Sequence, residues 1–463
     1  MKAQALVSAL TSLAVVSAKP TETEKEPPSK RANLPTVTVS GNAFWAEKDR
    51  FFIRGIDYQP GGASADLDPL ADPSTCQRDI AKFKELGVNT IRVYAVDNSK
   101  DHDKCMQALS DAGIYLVLDV NTPKYSLNRL KPAPSYNTDY LQSIFATVEM
   151  FAKYRNTLAF FSGNEVINDE KGTDASAPYV KAVTRDMKNY MNKRGLRRVP
   201  VGYSAADVSS NRLQTAQYMN CGSDDARSDF FAFNDYSWCN SDFKISGWDQ
   251  KVKTFSDYGL PIFGSLMQSN HFSLSEWGCI KNRPRKFDEL GAMMSNEMTS
   301  VYSGGLMYEY SVEDNDYGIV KISGKSVEQN KHKEFDAYRD ALKKNPAPTG
   351  AAGAASTTHA VNCPTMDSNW NVNPSEVPAI PKEAKEKFFD KNDGAGKGPG
   401  MQGPGSQDAG GSGMSTTNVT HGDAYPTSAS KEKDNAAAHG LQTAPLIVCG
   451  VTLALTVFGT ILL

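Results

Sequence analysis

Two carboxylates stand where a folded chain does not leave a charge idle. Glu165 closes the stretch Phe160-Phe161-Ser162-Gly163-Asn164-Glu165-Val166, directly after the apolar run 158–161. Glu276 lies thirteen residues past Phe263, in Ser275-Glu276-Trp277-Gly278-Cys279. A carboxylate at the end of a buried strand is paired, hydrated or at work, because burying it alone is costly. Cleavage of a glycosidic bond needs two of them across a cleft. One protonates the leaving oxygen, and the other attacks the anomeric carbon or activates water. Tyrosines and amides around such a pair suit a sugar, which has apolar faces and a rim of hydroxyls. Taken singly, a glutamate at a strand end reads as an ion pair or a helix-cap partner, and a tyrosine in an apolar strand reads as core. The constellation points to sugar chemistry.

These residues need a frame that brings distant strand ends together. Short apolar runs at 51–57, 88–94, 114–119, 157–161, 199–203, 230–233, 261–263 and 306–310 read as strands. Helical patterns separate them: 75–86 opened by Ser74, then 102–112, 139–153, 177–194, a short piece ending near Met219, 248–257 and 286–300. Strands alternating with helices mean a parallel sheet, and about eight such units predict a closed (β/α)8 TIM barrel, an α/β fold. A doubly wound open sheet is the alternative, but no GxGxxG follows an early strand. In a barrel the reacting groups sit at the carboxyl ends of the strands. There the sequence places Asp57-Tyr58-Gln59, Arg92 and Tyr94, Asp119, Asn164-Glu165, Asp207, Tyr236 and Tyr308.

The chain has 463 residues and a net charge of −3, and no long basic run suggests nucleic acid. Residues 1–18 read as a secretory signal peptide, with Val16-Ser17-Ala18 offering the cleavage site. Residues 19–33 are polar and Pro-rich, a flexible lead. A single catalytic domain is expected over 34–370. Residues 371–440, rich in Gly, Ser and Asn, are expected to form a disordered low-complexity stalk, because they hold too little apolar surface to offset chain entropy. The apolar end, within 441–463, follows a polar spacer and the small residues Asn435-Ala436-Ala437. That order is the signal for a GPI anchor with attachment near Asn435; a single membrane-spanning helix is the alternative. Asn418 opens the sequon Asn418-Val419-Thr420. Of seven cysteines, Cys449 lies in the removable tail. The other six predict three disulfides in an oxidising compartment, with fifteen possible pairings. No Cys/His cluster suggests a metal, and no cofactor is expected.

Five stretches carry a family resemblance: Arg54-Gly55-Ile56-Asp57-Tyr58-Gln59-Pro60-Gly61-Gly62, residues 88–97 (VNTIRVYAVD), Ser162-Gly163-Asn164-Glu165-Val166, Ser275-Glu276-Trp277-Gly278-Cys279, and residues 303–311 (SGGLMYEYS). Over roughly 35–365 the chain resembles glycoside hydrolase family 72, the fungal GPI-anchored β-1,3-glucanosyltransferases. The resemblance implies a retaining, two-step mechanism on a (β/α)8 barrel. It implies Glu165 as acid/base, Glu276 as nucleophile, and Asn164 holding the sugar hydroxyl beside the reacting carbon. It carries Tyr94, Asp119, Asp207, Arg212, Tyr236 and Tyr308 onto positions lining the glucan cleft, with Gln59 a looser match. It also implies the pairs Cys76–Cys105, Cys221–Cys363 and Cys239–Cys279.

The sequence departs from the family at three places. Residues 264–274 intervene before the Ser275-Glu276 motif, as an inserted loop or as translated intron, and Trp277 stands where the family has Tyr. The segment around Tyr236 (NDYSWC) is a variant. Only Cys363 and Cys449 follow Cys279, so the cysteine-rich glucan-binding module that some members add is not expected here. The expected function is a cell-surface transferase that cuts a β-1,3-glucan and joins the new reducing end to an acceptor glucan. A β-1,3-glucan hydrolase and a non-catalytic wall glucan-binding protein are the alternatives.

Overall fold

A computed structural model describes residues 34–405, apart from 63–64, 236, 265–276 and 404. The expected signal peptide, lead and hydrophobic tail, and with them Asn418 and Asn435, lie outside the described residues. So do Tyr236 and Glu276.

The first described element is an antiparallel sheet of β1 (Val37–Ser40), β2 (Ala43–Ala46) and β3 (Asp49–Phe51), which sequence patterning did not anticipate. Eight parallel strands follow: β4 (Ile53–Asp57), β5 (Thr90–Val93), β6 (Tyr115–Asp119), β7 (Thr157–Asn164), β8 (Val201–Ala206), β9 (Phe230–Asn234), β10 (Ile262–Gly264) and β11 (Gly304–Met307). Their order is β10-β9-β8-β7-β6-β5-β4-β11, with each of β4 to β10 beside its sequence neighbour. Each overlaps one of the eight runs expected to be strands, the last only at Leu306 and Met307, and helices cross between them. The (β/α)8 barrel is therefore the observed fold. Strands β5 to β10 are wholly buried, which is why they read as continuous apolar runs rather than alternating ones.

Barrel closure depends on one residue beyond β10. Ser303 N–H donates to Ile262 O at 2.7 Å on the lower part of the seam. Higher up, Trp277 N–H donates to Leu306 O at 3.1 Å, and Tyr308 N–H donates to Trp277 O at 2.9 Å. Trp277 also bridges to Asp235, next to β9. It stands thirteen positions past Gly264, but its rung partner Asp235 is only two past Phe233, the partner of Gly264. The chain thus spends thirteen positions from Gly264 to Trp277 where the facing strand spends two, from Phe233 to Asp235.

The interior is filled by Ile53, Val117, Phe161, Phe230, Ala232, Phe263 and Leu306. Phe44 of β2 plugs the amino-terminal end, 5.6 Å from the Phe230 ring and 5.9 Å from Phe263. The first crossover helix, Pro73–Leu86, is capped by Asp72, not by Ser74 as expected. The Asp72 carboxylate accepts from Ser74 N–H at 3.0 Å and Thr75 N–H at 3.3 Å, and Pro73 needs no partner at the first helical position. The last expected helix, 286–300, is instead two short pieces, Glu289–Met293 and Asn296–Thr299. Cys76–Cys105, Cys221–Cys363 and Cys239–Cys279 are bonded, with Cα separations of 5.9, 5.0 and 5.1 Å.

After β11 come the hairpin β12 (Val320–Ser323) and β13 (Ser326–Gln329) and the helix Glu334–Lys344. The chain then runs round the outside of the barrel. Arg50 Nη1 donates to Ala351 O and Ala352 O at 2.7 and 2.8 Å. Cys363 is tied to Cys221, and Trp370, with no exposed surface, packs on Tyr218. This corrects the expected boundary at 370. Residues 371–405 did not read as part of the body because their composition is poor in apolar residues. A few buried anchors, Val372, Ala384, Phe388, Ala395 and Met401, nonetheless hold them to the barrel.

Candidate active site

The carboxyl ends of the strands present their last inward positions as one polar layer. Asp57, Arg92, Asp119, Asn164, Ser204 and Asn234 come from six successive strands, and none is more than 1% exposed. Below this layer the interior is apolar. From Arg92 to Asn234 the layer is joined by hydrogen bonds. Arg92 grips Asp119 with two parallel bonds, Nε to Oδ1 at 2.9 Å and Nη2 to Oδ2 at 2.8 Å. Its Nη2 also donates to Asn164 Oδ1 at 3.2 Å. The Ser204 hydroxyl donates to the same Asn164 oxygen at 2.5 Å, which fixes the orientation of that amide. Below and beside the guanidinium lie the rings of Phe161 and Tyr94, 4.5 and 4.4 Å from its carbon. Burial raises the Asp119 carboxyl, and Arg92 pulls it back down.

Glu165 leaves this layer at a sharp angle. The β7–β8 register shifts between Phe161 and Asn164, and Glu165 itself takes φ +46°. A left-handed backbone at a non-glycine residue carries strain of about 1–2 kcal/mol, and such strain gathers at functional sites. It is held by Glu165 N–H donating to Ser204 O at 2.8 Å. The side chain accepts a hydrogen bond at Oε1 from Asn234 Nδ2 and is 7% exposed.

Asp57 differs from its neighbours. It is fully buried, and neither carboxyl oxygen has a hydrogen-bond partner among the described residues. Burial pushes it well above the usual carboxylate range, against the pull of Arg92. Glu309, one residue past Tyr308, is pushed up to about 8 by burial although Asn315 Nδ2 donates to it at 2.9 Å.

Gln59 has its amide engaged by the backbone. Its Nε2 donates to Leu67 O at 2.6 Å, and its Oε1 accepts from Tyr94 N–H and Ala95 N–H at 3.2 and 3.3 Å. It joins the loop after β4 to the loop after β5. Asp207 and Arg212 meet each other: Arg212 Nε bonds Asp207 Oδ1, and Lys251 Nζ lies 3.5 Å from Asp207 and 3.7 Å from Asp235. Asp235 also accepts from Trp248 Nε1 at 3.0 Å, and burial pushes it up to about 7. Tyr308 is buried; its hydroxyl accepts from Asn315 Nδ2 at 2.9 Å, and its ring meets Tyr317 edge-on at 5.2 Å.

Tyr94, Asp119, Asn164 and Glu165, which the sequence named from three different stretches, lie at the carboxyl ends of neighbouring strands. Sequence reasoning noted Arg92 only as a strand end and did not single out Ser204, Asn234, Asp235, Lys251 or Glu309. The first two had a usable signal: each is the first polar residue after an apolar run, and Asn234 also stands two positions beyond the inward Ala232. The others are set by loops whose geometry the sequence does not display.

Comparison with known proteins agrees with this geometry. A family model described as glucanosyltransferase, glycoside hydrolase family 72, matches residues 27–346. A 1,3-beta-glucanosyltransferase, gel1 of Aspergillus fumigatus, is 60% identical over 375 residues, covering 81% of this chain and 79% of that one. Another, GAS5 of Saccharomyces cerevisiae, is 46% identical over 402 residues, covering 86% and 79%. A structure of Saccharomyces cerevisiae Gas2p in complex with laminaritetraose and laminaripentaose superimposes with a TM-score of 0.68 at 37% identity, covering 76% of each chain. With more than two thirds of its length matched and a strand-end layer built round Asn164-Glu165, the chain belongs to the glucanosyltransferase family, glycoside hydrolase family 72.

Proposed function

We propose that this chain is a β-1,3-glucanosyltransferase acting by retaining double displacement, with Glu165 as acid/base and Glu276 as nucleophile. The observation that carries the reading is the Asn164-Glu165 pair at the end of β7, set into a polar layer whose hydrogen bonds run from β5 to β9, in a chain of this family.

In the first step the Glu276 carboxylate attacks the anomeric carbon of a glucan. The bond from that carbon to the leaving oxygen breaks, and the Glu165 carboxylic acid gives its proton to that oxygen. In the second step an acceptor glucan hydroxyl attacks the same carbon and passes its proton to the Glu165 carboxylate. The ester to Glu276 breaks, and the configuration is retained. Water in place of the acceptor gives hydrolysis. Asn164, oriented by Arg92 and Ser204, holds the neighbouring sugar hydroxyl. Tyr94, Asp119, Asp207, Arg212, Tyr236 and Tyr308 shape the cleft, and Gln59 fixes the loop that carries Tyr94.

Support for Glu276 comes from its chain neighbour. Trp277 is on the ladder between Asp235 and Met307, with its ring packed outward against Phe287 and Tyr338. Along a strand, alternate side chains face opposite sides. The chain acts at the cell surface, exported by its signal peptide and held by a GPI anchor attached near Asn435, with Asn418 available for glycosylation.

The test is to trap the ester. Glu165→Gln, given a laminari-oligosaccharyl fluoride, still undergoes the first step, because fluoride leaves without a proton. It lacks the base for the second. Intact mass should show a glycosyl adduct, and peptide mapping should find it on Glu276. An adduct on another residue would overturn the assignment.

A further inference from the structure

The family match ends at residue 346, but the barrel remains covered far beyond it. Residues 382–395 lie over the helix Thr138–Ala152 and the helix Ala177–Lys193. Phe388 meets Phe145 edge-on at 5.2 Å, and Ala395 N–H donates to the Tyr190 hydroxyl at 3.0 Å. From there the segment Gly394-Ala395-Gly396-Lys397-Gly398-Pro399-Gly400-Met401-Gln402-Gly403 climbs to the catalytic end of the barrel. Gly398 N–H donates to Asn98 O at 3.1 Å, and Gly400 N–H donates to Asn98 Oδ1 at 2.9 Å. Asn98 is 1% exposed, and its amide nitrogen is bonded to Ser143 O and Thr147 Oγ1 at 3.0 Å each. The approach is so close that side chains are excluded. A Cβ on Gly398 would stand 2.0 Å from Asn98 Oδ1, and one on Gly403 would stand 2.1 Å from the Tyr125 hydroxyl. Two of the glycines that make this stretch look like a linker are therefore contact residues.

Both anchor points lead to the polar layer. Asn98 lies on the loop that begins at Tyr94 and Ala95, whose amides are held by Gln59, and the Tyr94 ring lies against Arg92. Tyr125 closes a turn with Thr122, each N–H donating to the other's carbonyl at 3.1 Å. Beside that turn Asn121 Nδ2 donates to Ser162 O at 3.1 Å, two residues before Asn164.

We infer that residues 382–403 are a strap that positions the loops after β5 and β6 for glucan binding, so the working catalytic unit extends past both the family match and residue 370. The inference rests on the cleft roles proposed above. Glu165 and Asn164 are carried by barrel strands, so releasing the strap leaves the chemistry in place and loosens the sugar-binding loops. That predicts an effect on KM with little on kcat.

The test compares the full chain with Gly398→Val and Gly403→Ala, and with Lys391→Ala as a control on an exposed strap residue. Hydrogen exchange over 94–102 and 120–128 and limited proteolysis over 391–405 report release, while laminari-oligosaccharide kinetics report function. Both glycine variants should expose the strap, deprotect the two loops and raise KM by about tenfold, with kcat within about twofold of the parent. Lys391→Ala should change nothing. If Gly398→Val does not fold, Gly403→Ala, whose Cβ would press chiefly on the Tyr125 hydroxyl, gives the same reading. A strap released with KM unchanged would overturn the inference, as would a strap that stays protected in both variants. An inactive parent chain would instead defeat the proposed function itself.

Discussion

Asn234, the last residue of β9, donates its side-chain amide to Glu165 Oε1, reaching across β8 to the end of β7. The bond ties the proposed acid/base to a strand rather than to a loop. A hydrogen bond to a charged group contributes about 1.5–3 kcal/mol, so Asn234→Ala should lower kcat for transfer by roughly 10- to 100-fold. KM should change little, since the amide orients the reacting carboxyl. Steady-state kinetics on laminari-oligosaccharides check this. A variant whose loss lies wholly in KM would make Asn234 a sugar contact instead.

The pair Arg92–Asp119 is buried on both sides, at 0% and 1% side-chain exposure. Removing one member leaves the other charge uncompensated, at a cost of about 3–5 kcal/mol. Asp119→Ala should therefore lower thermal stability strongly. Arg92→Lys should also fail to restore the parent, because an ammonium cannot make the forked bond to Asp119 and still reach Asn164. Melting curves of both variants test this, and parent-like melting of Arg92→Lys would contradict it.

Glu289 and Glu309 are each pushed up to about 8 by burial, from a usual value of 4.5. Below pH 4.5 they are protonated in both folded and unfolded chains, and their contribution is fully present. Between about 4.5 and 8 the unfolded chain ionises while the folded one holds its protons. Stability is then lost as pH rises, by at most about 1.4 kcal/mol per pH unit for each group. Melting should thus be higher at pH 5 than at pH 8. Glu289→Gln and Glu309→Gln should each flatten that dependence. A melting temperature that rises over this interval would reject the reading.

Between Gly264 and Trp277 the chain spends thirteen positions where the facing strand spends two. A variant lacking 264–274 would bring Ser275 to the rung held by Gly264 and leave Trp277 on its own. It should fold, melt no lower than the parent and transfer glucan, because shortening a loop lowers the entropy cost of closing it, by about 0.6 kcal/mol for each halving of its length. Failure of this variant to fold would mean that the segment is part of the wall.

The fold was legible because most barrel strands are buried on both faces, so runs such as 158–161 and 230–233 stand out as unbroken apolar stretches. Asn164 and Glu165 were legible as polar residues ending such a run. The layer joining them was only half legible. That Arg92 would grip Asp119 depends on the register of neighbouring strands, which no local pattern encodes. Asp72 displaced Ser74 as the helix cap because Pro73 already fits the first helical position. The strap was misread for a compositional reason. Gly398 and Gly403 have the composition of a linker, yet their lack of a side chain is what lets the backbone reach Asn98 and Tyr125.

The central claim is that a glucosyl-enzyme formed here is passed to another glucan. Water is present at about 55 M, so transfer prevails only if the cleft orients an acceptor, and orientation can supply effective molarities of about 10⁵ M or more. The direct measurement is the product ladder from a reduced laminari-oligosaccharide given as sole substrate at millimolar concentration, resolved by mass spectrometry. The account predicts products longer than the substrate, absent with Glu165→Gln and Glu276→Gln. Only shorter products from the parent chain would contradict it and make the protein a hydrolase.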